Sequence, residues 1–298
     1  MSLRERPHRG TIHLEEAELL GQQAWPGSQH VLRLAAPRCA ANAQPGSFVH
    51  LSCDPRLPMR RPLSIQRVDA ASGWIEILYK VVGQGLAALA EARPGARFSC
   101  LGPLGHGFSA RSERPRALLL GGGVGIPPMV FLAEVLHRRA ADGFRPLVLM
   151  GSEIPFPFEP RPSALPVAGM PAAASAAMPL LEDWGVPSRL ASAAGFAGCY
   201  RGLVTELADH WLESLPAAER ALTAVYACGP TPMLEACARL ARRYSVPCQV
   251  ALEEFMACAV GGCAGCAVRV LTPEGAAMKR VCVDGPVFDA ASVFPRNH

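Results

Sequence analysis

The sequence has few charged and few aromatic residues, and it lacks the patterns of a nucleic-acid-binding protein. Of its 298 residues, 18% are charged and 6% are aromatic, and the formal net charge is only +4. Nucleic-acid-binding domains carry basic stripes interleaved with aromatic side chains, and this sequence contains no such stripe. Hydrophobic residues make up 50%, which is typical of a folded chain, and the length favours two or three domains.

The sequence also lacks the pattern of an export signal or of a membrane span. Residues 1–9 are charged and contain no apolar core, so they do not match a secretory signal. One uncharged run, at 117–133, falls short of the roughly 20 apolar residues that a membrane-spanning helix needs, and glycines and prolines interrupt it. We therefore expect a cytoplasmic protein without a membrane span.

Cysteine is the residue that this sequence has in excess. Eleven cysteines in a chain of this size, without an export signal, indicate metal or redox chemistry rather than disulfides. Seven are scattered, whereas Cys258, Cys263, Cys266 and Cys282 lie within 25 residues. The spacing Cys-x4-Cys-x2-Cys with a distant fourth cysteine is that of plant-type [2Fe–2S] ferredoxins, in which three thiolates on one tight loop reach one side of a compact cluster.

Two other interpretations of these four cysteines remain open. They could be unligated buried thiols, or they could hold a zinc ion, since Cys263 and Cys266 form a CxxC half-site. Zinc sites usually pair one CxxC with another, and the sequence contains no second one. Gly261, Gly262 and Gly265 favour the iron–sulfur interpretation, because glycine permits positive φ angles and lets backbone amides approach the sulfurs.

The first hundred residues have the pattern of a small β-barrel. Short alternating or β-branched runs at 47–52 and 74–82 are separated by turn signals. Within this region the guanidinium of Arg61 can bind a pyrophosphate, and Ser64 can hydrogen-bond a flavin ring, although a solvated arginine in a turn is the alternative. Residues 83–85 form a glycine turn before a predicted helix, which can present amides to a phosphate or be a plain turn.

From residue 116 onward the pattern changes to strands that alternate with helices. Apolar runs at 117–120, 146–150 and 222–228, with helices predicted at 127–139 and 232–244, indicate a parallel sheet. The segment 155–179 contains seven prolines and an alanine-rich run. That composition predicts an exposed insertion or a mobile loop.

Two loops at the ends of these strands are candidates for dinucleotide binding. The glycine run 121–125 follows a buried strand and opens a helix, which is the context of a phosphate loop, although the strict GxGxxG fingerprint is absent. A close-packed turn between strand and helix is the alternative. Residues 228–233 repeat the arrangement at another strand end, where the ligands of open α/β sheets bind.

The order of these motifs resembles the ferredoxin reductase superfamily: a β pattern, Arg-Pro-x-Ser at 61–64, GGGxGxxP at 121–128 and CGPxPM at 228–233. The cysteine segment at 252–289 narrows the resemblance, over nearly the whole chain, to the electron transfer subunits of NAD-dependent dihydroorotate dehydrogenases. We therefore expect an α+β multidomain fold. It comprises a Greek-key β-barrel flavin domain (1–112), a Rossmann-like α/β nicotinamide domain (113–247, with the insertion 155–179) and a small [2Fe–2S] domain (248–298).

The resemblance also implies cofactors, a partner and site residues. The cofactors are FAD, NAD(H) and a [2Fe–2S] cluster, and the partner is an FMN-containing catalytic subunit that oxidises dihydroorotate in pyrimidine biosynthesis, usually in a heterotetramer. A reductase that serves a different acceptor protein, or a zinc-stabilised regulator without catalytic activity, are the alternatives. The residues implied at FAD are Arg61, Pro62, Leu63, Ser64, Leu78, Tyr79, Lys80, Gly85 and Leu86. Those implied at NAD(H) are Gly121, Gly122, Gly123, Gly125, Cys228, Gly229 and Pro230.

Three residues are assigned more particular roles. Ser64 is expected to orient the flavin, and Cys228 to lie near the reacting carbons, with a buried structural thiol as the alternative for Cys228. Glu153, which follows the second α/β strand, is the expected partner of a ribose hydroxyl and would favour NAD over NADP. The sequence departs from the family pattern at four positions, which carry Lys80, Leu86, Phe255 and Ala259 in place of Arg, Thr, Arg and Gly.

Overall fold

Six antiparallel strands close into a barrel in the first part of the chain. The structure is a computed structural model that describes residues 11–296; the predicted absence of an export signal at 1–9 concerns residues outside that range. The strands are β1 (His13–Trp25), β2 (Gln29–Ala35), β3 (Phe48–Leu51), β4 (Arg61–Asp69), β5 (Trp74–Lys80) and β6 (Arg97–Leu104), with helices α1 (Pro37–Asn42) and α2 (Gly83–Ala90). Their order, β1-β2-β5-β4-β3-β6, places β2 beside β5, as in a Greek key. The predicted barrel is confirmed.

The barrel interior is filled by the alternate residues of its strands. Leu32, Leu34, Ile75 and Ile77 are fully buried, and their intervening neighbours on the same strands face outward, because side chains alternate across a strand. Phe131, from the helix that follows the glycine loop, packs into the same cluster. The barrel and the following α/β unit therefore share a packed contact.

A six-stranded sheet with helices on both faces forms the second part of the chain. Its strands are β7 (Arg116–Gly122), β8 (Arg145–Gly151), β11 (Ser188–Ala191), β12 (Thr223–Cys228), β13 (Cys248–Ala251) and β16 (Val287–Asp289). Their order is β11-β8-β7-β12-β13-β16, parallel except for the β13–β16 pair. The predicted parallel sheet is confirmed. The other elements are α3 (Ile126–Arg138), β9 (Arg161–Pro162), β10 (Ala176–Ala177), α4 (Pro179–Asp183), α5 (Val204–Ser214), α6 (Ala217–Ala221) and α7 (Thr231–Tyr244).

The strand β7 shows why both faces of this sheet need helices. Leu119 belongs to one hydrophobic cluster, with Met129 of α3, whereas Leu118 and Leu120 belong to another, with Leu207 of α5. A strand that is apolar at every position has to be covered on both sides, and crossover helices supply that cover. Among residues 11–296, no helix combines the length and the apolar character that crossing a membrane requires.

The proline-rich segment 155–179 is mostly exposed along its middle, as its composition predicts, but it is anchored at both ends. Phe156 and Phe158 are buried in the core beside α3, and Met178 is buried at its other end. In the middle of the segment, the backbone amide of Leu165 donates to Glu182, and the Arg189 guanidinium donates to the Leu165 carbonyl. These few apolar and charged side chains anchor the segment. The proline and alanine content of the sequence does not predict such contacts.

The last part of the chain is tied into the sheet. A hairpin of β14 (Ala267–Thr272) and β15 (Gly275–Arg280) follows the cysteine loop, and then β16 (Val287–Asp289) and α8 (Ala290–Val293) complete the chain. Because β16 pairs with β13, the cysteine loop is held between two strands of the α/β sheet. The segment 248–298 thus shares that sheet, and the three domain boundaries stay predictions.

Candidate functional site

One large cavity lies where the barrel, the sheet and the cysteine loop meet. Its volume is about 970 Å³, which is within the range of a site for a large organic cofactor. Its walls come from strands β4 and β5, from the turn before α3, from the end of β12 and from the segment before the cysteine loop. We call it the redox cavity, because most residues expected at FAD line it together with Cys228 from the sheet and Gly265 from the cysteine loop, although none of the four cluster cysteines does.

The two neighbouring strands β4 and β5 form the barrel wall of the redox cavity. Of the residues expected at FAD, Arg61, Pro62, Leu63, Ser64, Leu78, Tyr79, Lys80 and Leu86 all line it. Leu63 and Tyr79 turn their side chains into the barrel cluster instead, and the Tyr79 hydroxyl donates to Gln22 Oε1 at 2.7 Å. These two residues can therefore offer a cofactor only their backbone, whereas Ser64 is partly exposed on the cavity wall.

The Arg61 guanidinium lies over the first turn of helix α2. A Cβ atom added to Gly85 would lie 3.4 Å from both Nε and Nη2 of Arg61, an ordinary contact distance that places the guanidinium beside this turn. The helix has no side-chain cap and no acidic residue in its first turn, which leaves its N-terminal amides free for an anion. A guanidinium beside free helix amides fits the pyrophosphate of FAD.

The glycine loop after β7 has a packing role that the sequence did not reveal. A Cβ atom on Gly125 would lie 2.2 Å from the Cys228 carbonyl oxygen, and one on Gly122 would lie 2.4 Å from Met233 Sδ. Gly121 is less closed but still tight, with the Ile126 Cα at 3.0 Å from its Cβ position. These glycines let the β7–α3 turn lie directly on the β12–α7 turn. The close-packed alternative therefore accounts for three of the four expected glycines.

Gly123 differs from its neighbours in this loop. It has a φ of +54°, and nothing lies within 4 Å of the position of its Cβ, so its backbone is open to an approaching ligand. Gly229 packs against Met233, with a Cβ distance of 2.8 Å to Sδ, and the Pro230 Cδ would meet a Cβ on Gly122. None of Gly121, Gly122, Gly123, Gly125, Gly229 and Pro230 lines the redox cavity, although Val124 and Pro128 do. The role of this loop in NAD(H) binding stays a prediction.

The structure brings Cys228 and Ser64 to the same cavity. Both line its wall, and Cys228 is only 2% exposed. Burial raises the pKa of the Cys228 thiol well above its usual range, and the nearby Glu253 carboxylate raises it further. The thiol therefore stays neutral. Glu153 lies exposed after β8 and outside the cavity lining, so its role towards a ribose stays a prediction.

Sequence reasoning about the site missed the segment between β13 and the cysteines. Glu253, Glu254, Phe255 and Met256 all line the redox cavity. Glu253 is exposed to the cavity. The protein atoms around its carboxyl group nevertheless displace enough water to raise its pKa. Phe255 is 93% exposed, an unusual position for a large aromatic side chain. The sequence signal that could have identified this segment is the pair Glu253 and Glu254, which lies shortly before the first of the four cysteines.

The four cysteines of the C-terminal loop meet in two pairs. The Cys263 amide donates to Cys258 Sγ at 3.4 Å, and the Cys282 amide donates to Cys266 Sγ at 3.5 Å. Two thiolates for each of two irons is what a [2Fe–2S] cluster requires. Among residues 11–296, no three ligating side chains converge closely enough to hold a single metal ion. The four cysteines therefore form two separate pairs.

The environment of these sulfurs suits thiolate ligands. Burial acts to raise the pKa of Cys258, but amides including those of Val260 and Cys263 outweigh it and lower the pKa to about 7. Cys282 lies deeper, and burial together with the Cys266 thiol raises its pKa to about 12. A bound metal ion deprotonates such a thiol outright. The residues present therefore fit an iron–sulfur cluster.

The loop backbone matches the expectation from its glycines only in part, because Gly261 has a positive φ whereas Gly262 and Gly265 do not. Gly261 has a φ of +80°, and the Gly265 amide donates to Cys263 Sγ at 3.4 Å, as expected. Ala259 and Ala264 also have positive φ angles, of +56° and +54°. For a residue with a Cβ atom this conformation costs about 1–2 kcal/mol. The resemblance implies a glycine at position 259, and a glycine there would avoid this strain.

Comparison with solved structures defines the class of protein to which this fold belongs. The fold matches the structure of an NADH-dependent reduced ferredoxin–NADP oxidoreductase with a TM-score of 0.74 and 24% identity, over 93% of this chain and 89% of the other. It also matches phthalate dioxygenase reductase with a TM-score of 0.53 and 14% identity, over 90% and 77% of the two chains. This is the ferredoxin reductase fold, extended by an iron–sulfur loop.

Sequence comparison identifies the family within this class. The chain is 37% identical over 259 residues to the dihydroorotate dehydrogenase B (NAD(+)) electron transfer subunit of Bacillus caldolyticus, covering 84% of this chain and 86% of the relative. It is 34% identical over 294 residues to the same subunit of Geobacillus thermodenitrificans, covering 95% and 99%. Residues 253–294 match the iron–sulfur cluster binding domain of dihydroorotate dehydrogenase B. The chain belongs to the family of dihydroorotate dehydrogenase B electron transfer subunits.

Proposed function

We propose that this chain passes electrons between NAD(H), FAD and a [2Fe–2S] cluster, as the electron transfer subunit of an NAD-dependent dihydroorotate dehydrogenase. The observation that carries the proposal is the redox cavity, whose walls include Ser64 from the barrel, Cys228 from the sheet and Gly265 from the cysteine loop. Bound there, FAD would couple two-electron exchange with NAD(H) to single-electron transfer through the cluster. The protein contributes binding, orientation and electrostatics.

On the barrel side, the residues of β4 and α2 would hold the flavin nucleotide. The Arg61 guanidinium and the free amides of α2 neutralise the pyrophosphate. Arg61 is itself held in place, because its Nη1 donates to the Met59 carbonyl at 2.9 Å. The Ser64 hydroxyl, on the cavity wall, would donate a hydrogen bond that orients the flavin ring.

On the sheet side, the wall formed by Val124, Pro128 and Cys228 would receive the nicotinamide. The carboxyl ends of β7 and β12 meet here, which is where the ligands of open α/β sheets bind. The Cys228 thiol is buried and neutral, so it presents no negative charge to a ring that alternates between a neutral and a cationic state. Its tight packing also excludes water from this wall.

Replacing Arg61 by alanine is expected to weaken FAD binding by about 10- to 100-fold. Losing charge-assisted hydrogen bonds to a phosphate costs about 1.5–3 kcal/mol. Fluorescence titration of the apoprotein with FAD measures the dissociation constant. Arg56→Ala is the matched control, because Arg56 is an exposed arginine that pairs with Asp54 and lies outside the cavity. An unchanged FAD affinity in the Arg61 variant would contradict this assignment.

The proposed partner is the FMN-containing catalytic subunit that oxidises dihydroorotate in pyrimidine biosynthesis, in a heterotetramer. Support comes from the relatives named above, which are electron transfer subunits of that enzyme. All eleven cysteines are free thiols, which suits a reducing compartment, and we place the protein in the cytoplasm. Cell fractionation tests the location.

The partner is tested by mixing the purified chain with the catalytic subunit from its own genome. The proposal expects a stable complex on gel filtration and dihydroorotate-dependent reduction of NAD that needs both chains. A chain that is reduced by NADH but neither binds nor exchanges electrons with that subunit serves another acceptor. The exposed Phe255, where the resemblance implies an arginine, is a surface departure near the cysteine loop that bears on this choice.

A further inference from the structure

A second cleft lies at the end of the sheet where its parallel strands begin, on the side opposite to the redox cavity. It has a volume of about 470 Å³, and Arg114, Arg220, Arg243 and Tyr244 stand in its walls. We call it the arginine cleft. Arg114 lies two residues before the start of β7, whose other end carries the glycine loop. Seven strand residues at about 3.3 Å each separate the two sites by roughly 20 Å, so the cleft is not an extension of the redox cavity.

The positive charges of the arginine cleft are only partly neutralised. Arg243 is paired with Asp209 at 2.7 Å and with Glu213 at 3.7 Å. Arg114 and Arg220 are half-buried, and neither forms an ion pair with any residue in the range 11–296. The nearby Glu219 is engaged by Arg116 at 2.5 Å. Two unpaired guanidinium groups lining one cleft repel each other, and an anion between them would relieve that repulsion.

One nitrogen of Arg114 is buried without any hydrogen-bond partner. Its Nη1 atom is inaccessible and donates to no atom of the described residues. The carbonyl groups at the C-terminus of a helix favour a nearby guanidinium group. This accounts for Arg243, which lies at the end of α7. It does not explain Arg114 Nη1, which donates to none of those carbonyls. A buried donor without an acceptor is costly, and a turn of the guanidinium towards an oxyanion in the cleft would supply the missing acceptor.

The aromatic ring of Tyr244 holds the other two guanidinium groups in position. The Cζ atoms of Arg220 and Arg243 lie 5.5 and 5.1 Å from its ring centroid, which is within the range of cation–π contacts. The ring itself is fixed, because the Tyr244 hydroxyl donates to Asp209 Oδ1 at 2.7 Å. The cationic walls are therefore ordered before any ligand arrives, and less entropy is lost on binding.

We propose that the arginine cleft binds a compact phosphorylated small molecule. A phosphate monoester carries a charge of about −1.5 to −2 at neutral pH, which matches the two unpaired arginines, whereas a carboxylate would neutralise only one of them. Guanidinium forks also match the oxygen geometry of phosphate. The site is separate from the redox chemistry, so its ligand is distinct from NAD(H) and FAD.

Calorimetric titration of the holoprotein tests this proposal. FAD and the cluster are retained, and saturating NAD+ occupies the proposed dinucleotide site. The probes are inorganic phosphate and glycerol 3-phosphate, with acetate as the carboxylate comparison. Saturable binding of the phosphates is expected, weakened at least about tenfold in both Arg114→Gln and Arg220→Gln. Arg239→Gln removes the same charge from helix α7 outside the cleft and is expected to leave the affinity unchanged.

Three results would overturn the proposal. The first is an absence of saturable phosphate binding to the wild-type holoprotein. The second is an affinity in the Arg114 and Arg220 variants equal to that of the wild type, which would place the binding elsewhere. The third is acetate binding as tightly as phosphate, which would contradict the charge match. Thermal unfolding of each variant without phosphate identifies any that is misfolded, and the Arg114 variant, which disturbs no ion pair, then decides the question.

Discussion

Replacing Cys282 by alanine is expected to remove the iron–sulfur cluster and leave the flavin in place. Cys282 is 1% exposed and pairs with Cys266, so its loss leaves one iron with a single protein ligand. Loss of a hydrogen bond behind a metal ligand already costs about 10- to 100-fold in affinity, and loss of the ligand itself is expected to cost more. Iron content and visible absorption of the purified variant measure the effect.

Two further variants separate ligation from packing at this position. Cys282→Ser keeps nearly the same volume, and it is expected to lose the cluster as fully as the alanine variant does. Cys237→Ala removes an equally buried thiol from the core beside α7 and is expected to keep both iron and flavin. Normal iron content in either Cys282 variant would show that this residue is not a ligand.

Replacing Gly125 by alanine is expected to destabilise the protein by about 3 kcal/mol or more. Its new Cβ would lie 2.2 Å from the Cys228 carbonyl oxygen and 2.5 Å from the Gly229 amide nitrogen. Both are backbone atoms that no rotamer change can move, so one of the two loops has to shift, which is among the more costly forms of overpacking. The midpoint of thermal unfolding should fall by about 6 °C or more.

The control for this prediction is Gly21→Ala. Gly21 lies in β1, has no atom within 4 Å of its Cβ position and has no positive φ, so alanine is expected to change the unfolding midpoint little. If Gly125→Ala unfolds at the same temperature as Gly21→Ala, the close packing of the two loops is contradicted. The Gly125 variant is also expected to bind NAD more weakly, because the Cys228 wall moves with its carbonyl.

Local patterns were sufficient to predict the elements of the fold. The strand 74–82 and the helix 127–139 were expected from alternation and apolar spacing, and the structure has them at Trp74–Lys80 and Ile126–Arg138. The four cysteines are equally local, since three of them share one short loop. A spacing rule therefore suffices, because the ligand geometry constrains the sequence directly.

Features that depend on contacts between distant residues could not be predicted in this way. The glycines at 121–125 have the pattern of a phosphate loop, but the atoms that exclude a Cβ from Gly125 belong to Cys228. Likewise, the segment 155–179 is anchored by Phe156 and Phe158 against a helix that precedes it. Composition describes a segment by itself, and these positions are determined by what packs against them.

The central claim is that electrons from NADH reach the cluster through a flavin in the redox cavity. The most direct test is anaerobic addition of NADH to the purified holoprotein, with the flavin followed by visible absorption and the cluster by electron paramagnetic resonance. We expect loss of the flavin absorption together with the appearance of the signal of a reduced [2Fe–2S] cluster, and no such signal in Cys282→Ser. A flavin that NADH bleaches while the cluster stays oxidised would contradict this route of electron transfer.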